Sequence, residues 1–179
     1  KYDIDDYRDV EIHNMYRERI EAGYSKDDIM RSIYAKGRDN ARTPMQWDDT
    51  ENAGFTDGTP WIRVNDNYKE INAKAQINDP DSIFSCYKKL IQLRKEYSVL
   101  VDGDFDLLLE NDENIFAYQR KNDKQTMVVV CNFFDKTIEM PLEDEVKDMQ
   151  ILLANYSGIE DTSVLRPYEA RIYIKETFN

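Results

Sequence analysis

The sequence predicts an α+β fold in which helices come first and an antiparallel β-sandwich follows. Two periodicities carry that prediction. Apolar residues recur at helical spacing in three stretches before residue 100, and from about Val101 the apolar period changes to two. A third observation divides the helical part: between Gly37 and Asn78 neither period persists. So long an irregular segment inside a folded domain is either functional or disordered. Both tryptophans, Trp47 and Trp61, lie in it with Phe55, Ile62 and Tyr68, whereas disordered segments are poor in such residues. The segment is therefore expected to be an ordered loop, anchored by its aromatic side chains and presenting polar groups.

The first helix is expected over 9–22, with Ile12, Met15, Tyr16, Arg19 and Ile20 on one face and Gly23 as its stop. Ser25, with Asp28 three residues on, approximates a capping box for a second helix over 26–36. Its stripe is Ile29, Met30, Ile33 and Tyr34, and it ends at Gly37. His13 is the single histidine; beside the first stripe it reads as a packing or surface residue, and its solitude argues against a zinc site. After the loop, Asp79-Pro80 opens a third helix over 80–97, Pro80 suiting the first helical position. Ile83, Tyr87, Leu90, Ile91 and Arg94 mark its inward stripe, widened by Phe84 and Leu93.

Strands are expected at 105–109, 115–120, 126–132, 137–140, 149–154 and 170–175, separated by turn-forming stretches such as Asp102-Gly103-Asp104. Met127-Val128-Val129-Val130-Cys131 is apolar on both faces, so its strand should be central. Asn155-Tyr156-Ser157 matches a glycosylation sequon and is read as a turn. The domain boundary falls near 97–103, dividing the chain into 1–99 and 100–179.

A net charge of −12 argues against nucleic acid and anionic membranes as partners. No run of about 18 apolar residues suggests a transmembrane helix. The opening Lys1-Tyr2-Asp3-Ile4 is no signal peptide and lacks an initiator methionine, so the chain reads as a piece of a longer protein. Cys86 in a helical pattern and Cys131 in a strand pattern have no motif spacing; they read as buried thiols of a reducing compartment, hence a cytoplasmic protein. No cofactor and no metal are expected.

The loop begins Gly37-Arg38-Asp39-Asn40-Ala41-Arg42-Thr43-Pro44-Met45-Gln46-Trp47 and continues through Pro60-Trp61 and Asn67-Tyr68. These residues resemble the late barrel loop of the α-amylase superfamily, and more narrowly the bacterial oligo-1,6-glucosidase, dextran glucosidase and trehalose-6-phosphate hydrolase group. The resemblance runs on through Tyr87-Lys88-Lys89-Leu90-Ile91-Gln92-Leu93-Arg94 and Ile115-Phe116-Ala117-Tyr118 to Pro167-Tyr168-Glu169-Ala170-Arg171. It implies that residues 1–99 are the helical remnant at the end of a (β/α)8 barrel, with the 37–78 loop on the substrate side. Residues 100–179 would be the antiparallel β-sandwich of the C-terminal domain.

The implied activity is that of a retaining α-glucosidase, hydrolysing short α-1,6-linked glucosides from the non-reducing end, with an oligosaccharide as partner. The alternatives are a trehalose-6-phosphate hydrolase and a non-catalytic carbohydrate-binding or interaction domain. Retaining hydrolysis needs two carboxyl groups roughly 5 Å apart. The loop offers Asp39, Asp48, Asp49 and Glu51, but none follows a recognisable strand, and they read as caps, turns and solvated charges. The resemblance places the catalytic carboxylates on earlier barrel strands, so no catalytic residue is assigned here and the chain alone should be inactive. Arginine is the better ligand candidate, because a guanidinium forks onto vicinal hydroxyls. The resemblance implies that Arg38, directly after the helix-ending Gly37, contacts the glucose of the innermost subsite. Arg42 is the second candidate, its other role being to pin the loop. With most barrel strands absent, the three helical stripes would lie open, and the fragment is expected to self-associate.

Overall fold

In the computed structural model, which describes residues 2–177, the chain divides into two units, Lys1–Ser85 and Cys86–Asn179. In the first, Asp9 starts α1 (Val10–Glu21) by accepting a hydrogen bond from Glu11 N at 3.0 Å. Gly23 stops it as expected. At φ +84° it lets Tyr24 N reach Arg19 O and its own N–H reach Ile20 O, both at 3.0 Å. Ser25 caps α2 (Lys26–Lys36) from Asp28 N, while the Asp28 carboxylate bonds the Ser25 hydroxyl rather than a backbone amide, so only half of a capping box forms. The two helices meet over Ile12, Ile29, Met30 and Ile33, with Tyr7 in the same core. Ile20 and Tyr34, expected on these stripes, lie at the exposed margin.

Gly37 ends α2 for reasons of space. A Cβ there would lie 2.7 Å from Ile33 O and 3.1 Å from Ile12 Cδ1, so only glycine lets the loop leave against α1. The loop is ordered but carries only short pieces: 3-10 turns at Arg38–Ala41, Glu51–Gly54 and Asp66–Lys69, then α3 (Ala73–Ile77). Its aromatic anchors need correction. Trp47 and Trp61 are 53% and 72% exposed. Backbone bonds fasten the loop instead: Trp47 N donates to Ala53 O, Ala73 N to Gln46 O and Lys74 N to Trp47 O, at 2.9–3.0 Å. The side chains it buries are Asp39, Ala53, Ile62, Val64 and Asn72.

The third helix, α4 (Ile83–Glu96), starts later than Pro80 suggested. The Ser82 hydroxyl bonds Asp79 O and Gln76 O and accepts from Ser85 N, doing the work of a cap, and Pro80 sits in the preceding turn. The inward stripe also needs correction: Leu93 is buried, while Ile83, Tyr87 and Ile91 are 70%, 65% and 56% exposed. Cys86 is exposed on the same helix, against the expectation of a buried thiol; Cys131 is half-buried, and both are free.

In the second unit α5 (Val99–Asp102) leads into β1 (Asp104–Leu108), β2 (Ile115–Lys121) and β3 (Gln125–Asn132). Then come β4 (Ile138–Glu139), α6 (Glu143–Val146), β5 (Gln150–Ala154), β6 (Val164–Leu165) and β7 (Ala170–Glu176). Five strands form an antiparallel sheet in the order β1-β2-β3-β7-β5, and β4 pairs with β6 in a second layer. β3 lies in the middle, as its doubly apolar run demands. One face of the sheet offers Ile115, Ala117, Val128, Val130 and Tyr173 to Met140, Leu142, Val146 and Leu165 of the smaller layer. The other buries Met127 and Ile174 with Val99. All six predicted strands lie within one residue of those observed at either end, 137–140 shortening to the two residues of β4. β6, two residues long, is too short to show a period.

Candidate functional site

The site forms where the start of α1 meets the 3-10 turn after Gly37. Arg38 turns back along α1 and lays one edge of its guanidinium on Asp9, with Nε donating to Oδ2 at 2.7 Å and Nη2 to Oδ1 at 2.8 Å. Glu11 Oε2 is 3.0 Å from Nη2. The Asp9 side chain is 3% exposed and that of Arg38 half exposed, so the carboxylate is the fixed partner and the guanidinium faces outward. Hydrogen bonding from Arg38 outweighs the desolvation of Asp9 and, helped by Glu11 N–H and the charge of Arg42, brings its carboxyl down to about 2.

The next two residues hold this turn in place. Asp39 is buried, and its Oδ2 accepts from the backbone N–H groups of Arg8 at 2.6 Å and Asp9 at 2.9 Å. Its Oδ1 is buried without a hydrogen-bond partner among the described residues. Asn40 donates to Ile33 O and Tyr34 O at 3.0 and 3.1 Å, closing carbonyls at the end of α2. Arg-Asp-Asn thus forms three ties to three places. Arg42 is exposed, and no hydrogen bond or ion pair of its side chain is found among the described residues; its charge is close enough to act on Asp9.

A groove of about 260 Å³ runs beside Arg38, lined by Asp9, Glu11, Ile12, Met15, Ser32 and Gly37 among others. A second cavity of about 400 Å³ lies between Arg8, Trp61, Arg63 and Tyr68. Arg8 links the two regions, since its Nε donates to Trp61 O at 3.3 Å. The other loop acids have local duties. Asp48 accepts from Thr50 N at 2.9 Å and from the Thr50 hydroxyl, which holds its carboxyl below the usual range, and Asp49 pairs with Lys74 at 3.4 Å. His13 Nε2 bonds Tyr7 O at 2.8 Å, a packing role. Among the described residues no group of three His, Cys, Asp or Glu side chains is placed to hold a metal ion, and no helix is long and apolar enough to cross a membrane.

The arrangement brings Arg38 to a carboxylate that the sequence did not single out. Asp9 and Glu11 show there only as the acidic opening of a helix. An Asp-x-Glu start is so ordinary that nothing local connects it to an arginine 29 positions away.

Residues 7–103 match the model of the α-amylase catalytic domain, and residues 105–172 match that of the maltogenic amylase C-terminal domain. The chain is 54% identical to an oligo-1,6-glucosidase of Halalkalibacterium halodurans, over 96% of this chain and 32% of that protein. It is 44% identical to a trehalose-6-phosphate hydrolase of Bacillus subtilis, over 96% of this chain and 32% of that protein. It superposes on the crystal structure of Bacillus licheniformis trehalose-6-phosphate hydrolase with a TM-score of 0.91 at 46% identity, covering 98% of this chain and 33% of that one. The chain therefore spans about a third of the length of the relatives it matches.

Proposed function

The chain belongs to the α-amylase family, and on that premise we propose that it is the C-terminal part of a retaining α-glucosidase acting on short α-1,6-linked glucosides from the non-reducing end. The observation that carries the reading is the 54% identity to an oligo-1,6-glucosidase, which runs through both the catalytic-domain segment and the C-terminal one. In this reading residues 1–99 close the barrel, the 37–78 loop lies on its substrate side, and 100–179 form the C-terminal domain.

The chemistry of the loop fits a binding role rather than a catalytic one. Retaining hydrolysis uses a nucleophile and an acid flanking the scissile bond. Here Asp48 and Asp49 are engaged with Thr50 and Lys74, and Asp39 with backbone amides, which fits the resemblance's placement of the catalytic pair on earlier barrel strands. Arg38 leaves Nη1 unengaged by Asp9 and its side chain is half exposed, which suits a fork onto a vicinal diol of glucose. Arg42 is the second substrate-side cation. The free thiols of Cys86 and Cys131 favour a reducing, cytoplasmic setting.

A trehalose-6-phosphate hydrolase is the second reading, supported by the superposition on such an enzyme. One experiment separates the two: the complete enzyme is offered isomaltose and trehalose 6-phosphate, and the anomer first released is read by NMR. Isomaltose cleavage with α-glucose appearing first is the expected result. Turnover of the phosphorylated sugar alone would establish the second reading, and initial release of β-glucose would refute retention.

A further inference from the structure

We propose that Asp9 is a positioning residue for Arg38, and that Asp39 serves it by fixing the backbone from which the Asp9 side chain springs. The inference rests on the reading of Arg38 as a sugar contact. The two acids form a crossed tie: the Asp39 carboxylate holds the amides of Arg8 and Asp9, and the Asp9 carboxylate holds the guanidinium of Arg38. Neighbouring residues of one segment thus grip neighbouring residues of the other, once through backbone and once through side chain.

The consequence lies in the geometry of the fork. A guanidinium has five N–H donors in one plane. Asp9 takes the Nε–Nη2 edge with two bonds of 2.7 and 2.8 Å, which fixes the plane and its rotation together. Glu11 Oε2 lies 3.0 Å from Nη2, so what remains for a ligand is Nη1. A half-exposed arginine without such a partner samples many rotamers, and ordering it would be charged against sugar binding. Asp9 therefore acts before the sugar arrives. The same carboxylate also accepts from Glu11 N at the start of α1, so capping must be separated from positioning in any test.

Asp9→Asn makes that separation, because asparagine caps a helix as well as aspartate does but cannot offer two carboxylate oxygens to arginine. In the complete enzyme, kcat/KM on isomaltose is measured for wild type, Asp9→Asn, Arg38→Ala and the double variant. Asp9→Asn is expected to lower kcat/KM about tenfold in an enzyme that still melts cooperatively, and to have no further effect on kcat/KM once Arg38 is alanine, since it acts through that side chain. Added guanidinium chloride should restore part of the activity of Arg38→Ala, and none in the double variant. Wild-type kinetics in Asp9→Asn while Arg38→Ala is impaired would overturn the proposal. So would an equal loss from Asp9→Asn in both backgrounds. A crystal structure of the Asp9→Asn enzyme gives a readout free of activity: Arg38 in an unchanged rotamer overturns positioning, and a displaced or multiple Arg38 supports it. If no variant, wild type included, cleaved isomaltose, the function reading would fail while the Arg38 rotamer still decided this one.

Discussion

Glu169→Gln should be among the most damaging single substitutions in the second unit. Glu169 is fully buried and Arg171 is 1% exposed. The Glu169 carboxylate accepts from Arg171 Nε at 2.8 Å, from Arg166 Nε and Nη2 at 3.0 and 3.1 Å, and from Arg166 N at 2.8 Å. Arg171 spends its other hydrogens on the Tyr173 hydroxyl and on the carbonyls of Thr162, Asp161 and Val164, tying the approach to β6 onto β7. Burial pushes the Glu169 carboxyl up, but the hydrogen bonds from Arg166 and Arg171 prevail and bring it from 4.5 down to about 2. That difference corresponds to about 3 kcal/mol of stabilisation at neutral pH. Removing one member of a buried ion pair costs about 3–5 kcal/mol, since the other charge is left uncompensated. Against a stability of about 5–14 kcal/mol for a unit of this size, the loss is a large fraction. With an m-value near 1.5 kcal/mol/M, the urea midpoint followed by far-UV circular dichroism should fall by about 2 M. Trp47 and Trp61 both lie in Lys1–Ser85, so their fluorescence serves as an internal reference for the first unit. The pH dependence has a definite sign. The folded-state value is depressed, so the stabilisation is complete above about 4.5 and disappears as pH falls towards 2. The gap between wild type and Glu169→Gln should therefore narrow through that window. A midpoint shift under about 0.5 M, or a gap equally wide at pH 3 and pH 7, would show that the Glu169 carboxylate does not hold this unit together.

Gly54→Ala should cost about 1–3 kcal/mol, because φ there is +65° and a Cβ would lie 2.8 Å from Asp48 Oδ1; a thermal melt by tryptophan fluorescence checks it, and an unshifted curve would remove Asp48 as the obstacle. Chain 1–179 should self-associate through apolar surface such as Ile83, Tyr87 and Ile91 of α4, which are exposed. Sedimentation equilibrium tests this, and a strict monomer that binds no hydrophobic dye would contradict it.

What the sequence made legible was what neighbours along the chain decide. Gly23 as a stop and Ser25 as a cap are set by hydrogen bonds within five residues, and both hold in the structure. The place of β3 followed from apolarity on both faces. The tie of Asp9 to Arg38 and Asp39 spans 29 and 30 positions, and no periodicity reaches so far. The same limit explains the misread exposure of Trp47, Trp61 and the α4 stripe. A pattern shows which side chains are apolar, whereas burial depends on what faces them. Arg38 was singled out as a candidate through a resemblance, and its carboxylate partner had to be seen in space.

The strand order has a consequence for how the chain leaves the ribosome. β7 lies between β3 and β5, so neither inner edge has its partner until residues 170–176 have been made. Roughly forty codons separate the end of β3 from the start of β7, which at 5–20 residues per second is about 2–8 s of translation. Between the emergence of β3 and that of β7 from the ribosome, the nascent chain offers Met127-Val128-Val129-Val130-Cys131 as an edge without its β7 partner, apolar above and below, to any identical chain on the same polysome. Ribosome spacing and elongation speed thus join final stability in deciding how much of the product reaches its proper pairing.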